Sequence, residues 1–180
     1  MPTTPKPAKG LIIVFTGNGK GKTTAAMGIL ARASGQNLSV GVIQFIKSSG
    51  RACGEAVTAE KLHIPFQSMG DGFVRKPASQ AESQAAALRA WEEAQKWISD
   101  QAFDLLILDE ITYLFYFNWL DVNETIAWIK EHKPAAMHLV LTGRYAPPEL
   151  IEYADLVTEM QEIKHPFRQQ HIPAQLGIDY

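Results

Sequence analysis

The stretch Phe15-Thr-Gly-Asn-Gly-Lys-Gly-Lys-Thr-Thr24 constrains this chain more than any other. An apolar run, Leu11-Ile-Ile-Val-Phe15, precedes it. Ala25, Ala26, Met27, Leu30 and Ala31 follow at helical spacing, and Gly35 offers a stop. An apolar run without alternation is what a strand buried on both faces requires. Strand, glycine-rich loop and helix, in that order, make a cradle for phosphate. Glycines let successive N–H groups turn inward, and the helix adds its positive end. Counting back from Gly21-Lys22-Thr23, the pattern Gly-x4-Gly-Lys-Thr/Ser matches except at its first position, where Thr16 stands. The expected phosphate-binding residues are Gly17, Asn18, Gly19, Lys20, Gly21, Lys22, Thr23 and Thr24. Lys22 supplies a mobile cation and Lys20 a second one. The Thr23 hydroxyl is a ligand for Mg²⁺. A solvated Gly/Lys-rich turn would need neither the buried strand before it nor the helix after it.

A second element complements the first. Leu105-Leu-Ile-Leu108 runs directly into Asp109-Glu110. Carboxylates at the end of a buried strand need a cation or donors, because an unpaired charge there is costly. Mg²⁺ shared with Thr23 meets that need, through Asp109 or Glu110, directly or by way of water. The other reading of the acidic pair is a helix cap following the strand.

The remaining pattern alternates strands with helices. Leu38–Ile46 reads as a strand, Val57–Leu62 as a short helix and Ile64–Ser68 as a short strand. Pro77 to Asp100 reads as a long helix. Ser79 and Glu82 have capping-box spacing there, and the expected buried face holds Ala81, Ala85, Leu88, Trp91, Gln95 and Ile98. Phe103–Leu108 is the next strand. Asp121 with Glu124 opens a further helix, His138–Thr142 is a strand, Pro147-Pro148 begins a short helix and Leu156–Ile163 is the last strand. Such alternation predicts an α/β, three-layer P-loop nucleotide-binding fold of RecA-like type with a mostly parallel sheet. The expected division is a flexible arm over residues 1–10 and a single domain over 11–180.

Composition narrows the function. With 180 residues the chain has one domain's length. The net charge of −2 argues against a basic nucleic-acid-binding face. Cys53 is the sole cysteine, so neither an internal disulfide nor a Cys-rich metal cage is available. No histidine pair has compelling zinc spacing. No apolar run spans a bilayer, and the first ten residues do not read as a signal peptide, so the expected location is cytoplasmic. Two features stay open at this level. Tyr113–Leu120 is dense in aromatics and reads as core, as a subunit surface or as a wall for a large flat ligand. Arg144, ending a strand, faces either phosphate or a surface ion pair.

Taken together, certain segments resemble the P-loop type of ATP:cob(I)alamin (corrinoid) adenosyltransferase. They are Phe15–Thr24, Val42-Ile-Gln-Phe45, Gly70-Asp-Gly-Phe73, Leu108-Asp-Glu-Ile-Thr-Tyr113, Leu141-Thr-Gly-Arg144, Ala154–Met160, Lys164-His-Pro166 and Ala174–Tyr180. The resemblance runs from about Gly10 to the last residue. It implies transfer of the 5′-deoxyadenosyl group of ATP to the cobalt(I) of a corrinoid, with release of triphosphate, in adenosylcobalamin synthesis or salvage. It implies ATP bound with the loop at the far phosphate end, and positioning by Lys22 and Glu110 rather than acid–base catalysis. It further implies Thr23 and Glu110 on the Mg²⁺ side and Phe73 against the corrinoid, where it helps displace the lower axial ligand. An electron-donor flavoprotein and a homodimer belong to the same implication. The chain departs from the family pattern at Arg75, where many members have Trp, at Ser48, commonly Gly, and near His171, commonly Gly. Two other readings compete: a P-loop phosphotransferase or NTPase acting on a small molecule, and a non-catalytic nucleotide or corrinoid carrier.

Overall fold

A computed structural model of the protein describes residues 9–48, 53–70 and 77–179. Phe73 and Arg75 lie outside the described residues, as do residues 1–8 of the expected arm. Lys9 and Gly10 sit on the body of the protein: Lys9 pairs with Asp155, and Gly10 N donates to the carbonyl of Ala135.

Six strands form one sheet: β1 (Ile12–Thr16), β2 (Val40–Ser48), β3 (Phe66–Gly70), β4 (Leu105–Asp109), β5 (His138–Thr142) and β6 (Leu156–Glu159). They lie in the order β3-β2-β4-β5-β1-β6, and every neighbouring pair is parallel. The helices are α1 (Lys22–Gly35), α2 (Gly54–Lys61), α3 (Pro77–Ser99), α4 (Thr112–Tyr116), α5 (Val122–His132), α6 (Pro148–Tyr153) and α7 (Pro166–Gln170). The expected three-layer α/β architecture is therefore present.

The two faces of the sheet follow the two-residue period of a strand. Ile12, Val14, Ile43, Phe45, Leu106, Leu108, Leu139 and Leu141 pack in one layer with α3 and α5. Ile13, Phe15, Val40, Val42, Leu105, Ile107 and Val140 pack on the other side with Ala26, Leu30 and Ala33 of α1. Both sets are apolar because both faces are covered, which is why these strands read as continuous hydrophobic runs.

Several boundaries and one helix face differ from expectation, among them α2, which starts at Gly54 rather than Val57, and β4, which runs Leu105–Asp109 rather than Phe103–Leu108. β2 runs two residues later than Leu38–Ile46, and β3 two residues later than Ile64–Ser68. The long helix starts at Pro77, so Ser79 lies inside it rather than at its cap. Its buried face is Ala87, Ala90, Trp91, Ala94 and Ile98, while Ala81 and Ala85 are exposed and Gln95 is only half-buried. Alanines let the helix lie close on β2 and β3, and that closeness decided the face. β6 ends at Glu159, not Ile163, which is 83% exposed. Its only neighbour, β1, stops at Thr16, so the ladder has no partner to continue along.

Candidate functional site

All strands being parallel, their C-terminal ends share one edge, where open α/β sheets bind ligands. The register sets a row of polar side chains just beyond the last apolar level. Ser68 pairs with Gln44, Gln44 with Asp109, and Leu108 with Leu141, which brings Thr142 level with Asp109. Asp109 is fully buried and accepts three hydrogen bonds: from Gln44 Nε2 (2.8 Å), Thr142 Oγ1 (2.6 Å) and Thr23 Oγ1 (2.9 Å). Ser68 Oγ donates to Gln44 Oε1 at 3.1 Å and so fixes the amide's orientation. Three donors on two oxygens hold this buried carboxylate in one rotamer.

The order of strands explains how Thr23 arrives there. β5 lies between the loop strand β1 and the acidic strand β4. The helix that follows β1 must therefore reach across β5 to meet Asp109, and Thr142 fills the gap between them.

The phosphate loop occupies residues 17–21. Gly17 has φ +95° and Gly21 φ +109°, and a Cβ on Gly17 would lie 2.4 Å from the Met160 carbonyl oxygen. Met160 packs there because its N–H donates to the Thr16 carbonyl (2.8 Å), and its own carbonyl accepts from Gly19 N–H (2.6 Å). The N–H of Gly19 is thus engaged by protein, which leaves the other loop N–H groups to turn inward. Helix α1 begins at Lys22 with no side-chain cap and no acidic residue in its first turn. Its open N-terminal N–H groups are left for an anion.

Lys22 is buried and bends back over the loop, donating to the carbonyls of Gly17 (2.8 Å) and Gly19 (2.7 Å). Burial lowers its pKa. The nearby Glu110 carboxylate opposes that shift, and the Arg144 cation adds to it. Phosphate oxygens would replace the two carbonyls with charged acceptors.

Lys20, expected on phosphate, is paired with the Asp179 carboxylate. The C-terminal segment folds back across the loop, and Gln175 N–H also donates to Asp179, at 2.8 Å. Together these contacts hold the Asp179 carboxyl below its ordinary pKa, the Lys20 bond being the larger cause.

Glu110 follows Asp109 in a left-handed conformation, φ +67°. Its N–H donates to Thr142 Oγ1 at 3.0 Å. The turn swings its side chain off the strand line and into a cavity of ≈ 640 Å³, lined also by Lys20, Lys22, Thr23, Thr24, Tyr113, Tyr116, Phe117, Arg144 and Tyr145. Arg144 is held at this wall, since Thr112 Oγ1 donates to its carbonyl at 2.5 Å. Gly143, at φ +139°, has no room for a side chain: a Cβ would sit 2.1 Å from Thr112 Oγ1. Burial pushes the Tyr113 hydroxyl up to about 12, helped by Glu110, so it stays protonated. Asn18 is exposed and lines a neighbouring cleft with Thr16, Gly17 and Tyr145.

The expected residues Gly19 to Thr24 and Glu110 thus face one cavity. Reading the sequence did not single out Gln44 or Thr142 as partners of Asp109, nor Tyr145 and Asp179 as cavity walls. Gln44 carried a usable signal, an amide inside a strand of apolar residues. Tyr145 carried none without the fold, and Asp179 stood only as part of the Ala174–Tyr180 segment of the resemblance.

Known proteins bear on this geometry. The family model described as ATP:corrinoid adenosyltransferase BtuR/CobO/CobP matches residues 8–180. A corrinoid adenosyltransferase of Sinorhizobium sp. is 44% identical over 176 residues, spanning 96% of this chain and 81% of that protein. One from Escherichia coli K12 is 39% identical over 172 residues, spanning 96% and 86%. The flagellar accessory protein FlaH of Methanocaldococcus jannaschii shares the fold, with TM-score 0.57 and 11% identity over 85% of this chain and 71% of that one. A match over nearly the whole chain, joined to the phosphate loop and the acidic strand end at one edge of the sheet, shows that the chain belongs to the ATP:corrinoid adenosyltransferase family.

Proposed function

We infer that this protein is an enzyme that moves the 5′-deoxyadenosyl group of ATP onto the cobalt of a reduced corrinoid. The cobalt(I) electron pair forms the Co–C5′ bond as the C5′–O bond breaks, and that bond's electrons leave with triphosphate. The observation that carries this reading is the composition of the cavity. Its walls hold Lys22, Arg144 and the α1 N-terminus for anionic oxygens, with Lys20 tied to Asp179 and the carboxylates of Glu55 and Glu110 beside them. Such a wall suits a reaction whose nucleophile comes with the substrate and whose chief demand is charge stabilisation on the leaving group.

Lys22 and the α1 N-terminus would bind and orient the triphosphate. The donor set also fits Mg²⁺, because the hydroxyl of Thr23 and the carboxylates of Asp109 and Glu110 are hard oxygen ligands. Thr23 and Glu110 are the proposed metal-side residues, with Asp109 orienting Thr23. Bound Mg²⁺ would supply further positive charge to the departing oxygens.

Phe73 is the proposed corrinoid contact. β3 ends at Gly70, three residues before Phe73 in sequence and two after Ser68 of the polar row, at the edge of the sheet that carries the phosphate loop. An electron-donor flavoprotein that supplies cobalt(I), a cytoplasmic setting and a homodimer complete the proposal. Exposed Leu156 and Val157 on edge strand β6, and exposed Ile163 and Phe167 shortly after it in sequence, favour a second copy of the chain as cover.

The test is an anaerobic incubation with MgATP and chemically reduced cobalamin. Organocobalt product with one triphosphate per turnover is expected. ADP and phosphate in their place would favour a phosphotransferase or NTPase. Phe73→Ala should lower turnover when cobalt(II) must be reduced within the complex and matter much less when cobalt(I) is supplied. Equal loss in both assays would make Phe73 an alignment residue instead.

A further inference from the structure

Two tyrosines in the cavity wall stay half exposed although each packs edge-on against a more buried aromatic, Tyr116 on Phe117 (5.2 Å) and Tyr145 on Tyr113 (6.2 Å). Tyr116, at the end of α4, and Tyr145, after β5, stack with ring centroids 4.4 Å apart and planes 24° from parallel. Both remain about half exposed, at 53% and 48%, and both line the cavity that holds Lys22. Aromatic rings of this size are ordinarily buried when they serve the core.

Tyr145 also carries backbone strain. Its φ is +59°, a left-handed conformation that a bulky L-residue rarely adopts. The strain is held from both sides. On one side Thr112 Oγ1 donates to the Arg144 carbonyl at 2.5 Å, and on the other Ala146 N–H donates to Thr16 Oγ1 at 3.3 Å. Strain imposed by neighbours at a cavity wall points to a role for the ring it aims.

We propose that the Tyr116–Tyr145 pair is the platform on which the adenine of ATP stacks. The proposal rests on the adenosyltransferase reading and deepens it. A triphosphate anchored at Lys22 and the α1 N-terminus fills one end of the cavity, and its nucleoside must lie toward the other walls. Those walls include the exposed ring pair, with Arg144 beside it. A volume of ≈ 640 Å³ falls in the range of small-molecule sites and suits one nucleotide. A corrin macrocycle with its side chains is bulkier than a nucleotide, so it would meet C5′ at the mouth of the cavity and leave the inner walls to the nucleotide. Stacking on a tyrosine pair recognises the flat face of the base and leaves its hydrogen-bonding edge unread, so other purine nucleotides would bind as well.

Calorimetry at fixed Mg²⁺ tests the platform with two probes, ATP and inorganic triphosphate, which lacks a base. Tyr116→Ala and Tyr145→Gly should each weaken ATP binding about tenfold, the usual scale for one lost stacking partner. Triphosphate affinity should not change. Tyr145→Gly relieves the positive φ, so its fold is expected to persist. Tyr116→Phe keeps the ring face and should keep ATP affinity. Equal weakening of both probes would overturn the proposal, because the rings would then merely support the phosphate loop. Unchanged ATP affinity with a raised KM for corrinoid would overturn it too, assigning the rings to the other substrate. Base-dependent loss in the variants, alongside a wild-type protein that makes no organocobalt product, would uphold the platform and sink the adenosyltransferase reading.

Discussion

Lys22 shows how one residue is prepared before any ligand arrives. Its ammonium is buried against two loop carbonyls, with Glu110 and Asp109 the nearby counter-charges. A buried cation that is only partly compensated is a site waiting for an anion. Lys22→Ala should therefore cost about 10²-fold or more in turnover, the scale for removing one preorganised charge from a transition state. Its circular dichroism should match the wild type. Unchanged MgATP affinity by calorimetry would remove Lys22 from the phosphate site. His171 shows the same economy of explanation on the surface. It sits at φ +54° just after α7, a conformation that glycine adopts without strain. The histidine here therefore carries a local backbone cost.

At the level of elements, the contact of α3 with the sheet is the most sharply specified. Ala87, Ala90 and Ala94 have no measurable exposure, and Trp91 and Ile98 flank them. Trp91 also meets Trp128 of α5 edge to face, with centroids 5.6 Å apart, which ties the two helices of that layer together. Three alanines against β2 and β3 leave no space for a branched side chain. Ala90→Leu should destabilise by about 1–3 kcal/mol through overpacking, read as a lower urea midpoint at unchanged slope. A neutral result would mean that α3 can lift from the sheet. The shift would reach Ser68 at the end of β3, and through Gln44 it would reach Asp109.

For the whole molecule, the entry of the chain into the sheet depends on residues far away in sequence. Leu11 N–H donates to His138 Nδ1 at 3.1 Å, and Ile12 N–H donates to the Asp155 carboxylate at 2.9 Å. His138 must be neutral to accept that bond. Burial lowers its pKa, Lys133 lowers it further, and Asp104 opposes both. The folded pKa thus lies below the unfolded one. As pH falls through the ordinary imidazole value near 6.5, the unfolded chain takes up the proton first and stability declines. Tm should therefore drop between pH 7.5 and 5.5. His138→Asn, whose Oδ1 can accept the same N–H, should flatten that slope. Asp155, with its pKa lowered by the Ile12 N–H and by Lys9, stays charged throughout this window and does not contribute to it. A slope unchanged in the variant would place the titrating group elsewhere.

The sequence by itself determined the strand–loop–helix of the phosphate site, the acidic strand end and the three-layer class. The reason is physical: these depend on short-range patterns. Apolar runs mark strands buried on both faces, glycine spacing marks a loop that must turn its N–H groups inward, and a carboxylate after such a run demands a partner. The family was legible as well, from several short motifs kept in order. Only the tertiary structure decided what meets what. The pairing of Thr23 with Asp109 follows from β5 lying between β1 and β4, and strand order is not written in any single segment. The buried face of α3 turned on which helix side could approach the sheet, where alanines outweighed the larger Leu88. Lys20, expected on phosphate, found Asp179 because the C-terminal segment folds back over the loop. Tyr116 and Tyr145 belong to different elements, and their stacking exists only because α4 and the turn after β5 meet at the same edge. Local pattern specifies the pieces, and the order of strands in the sheet specifies which pieces share a cavity.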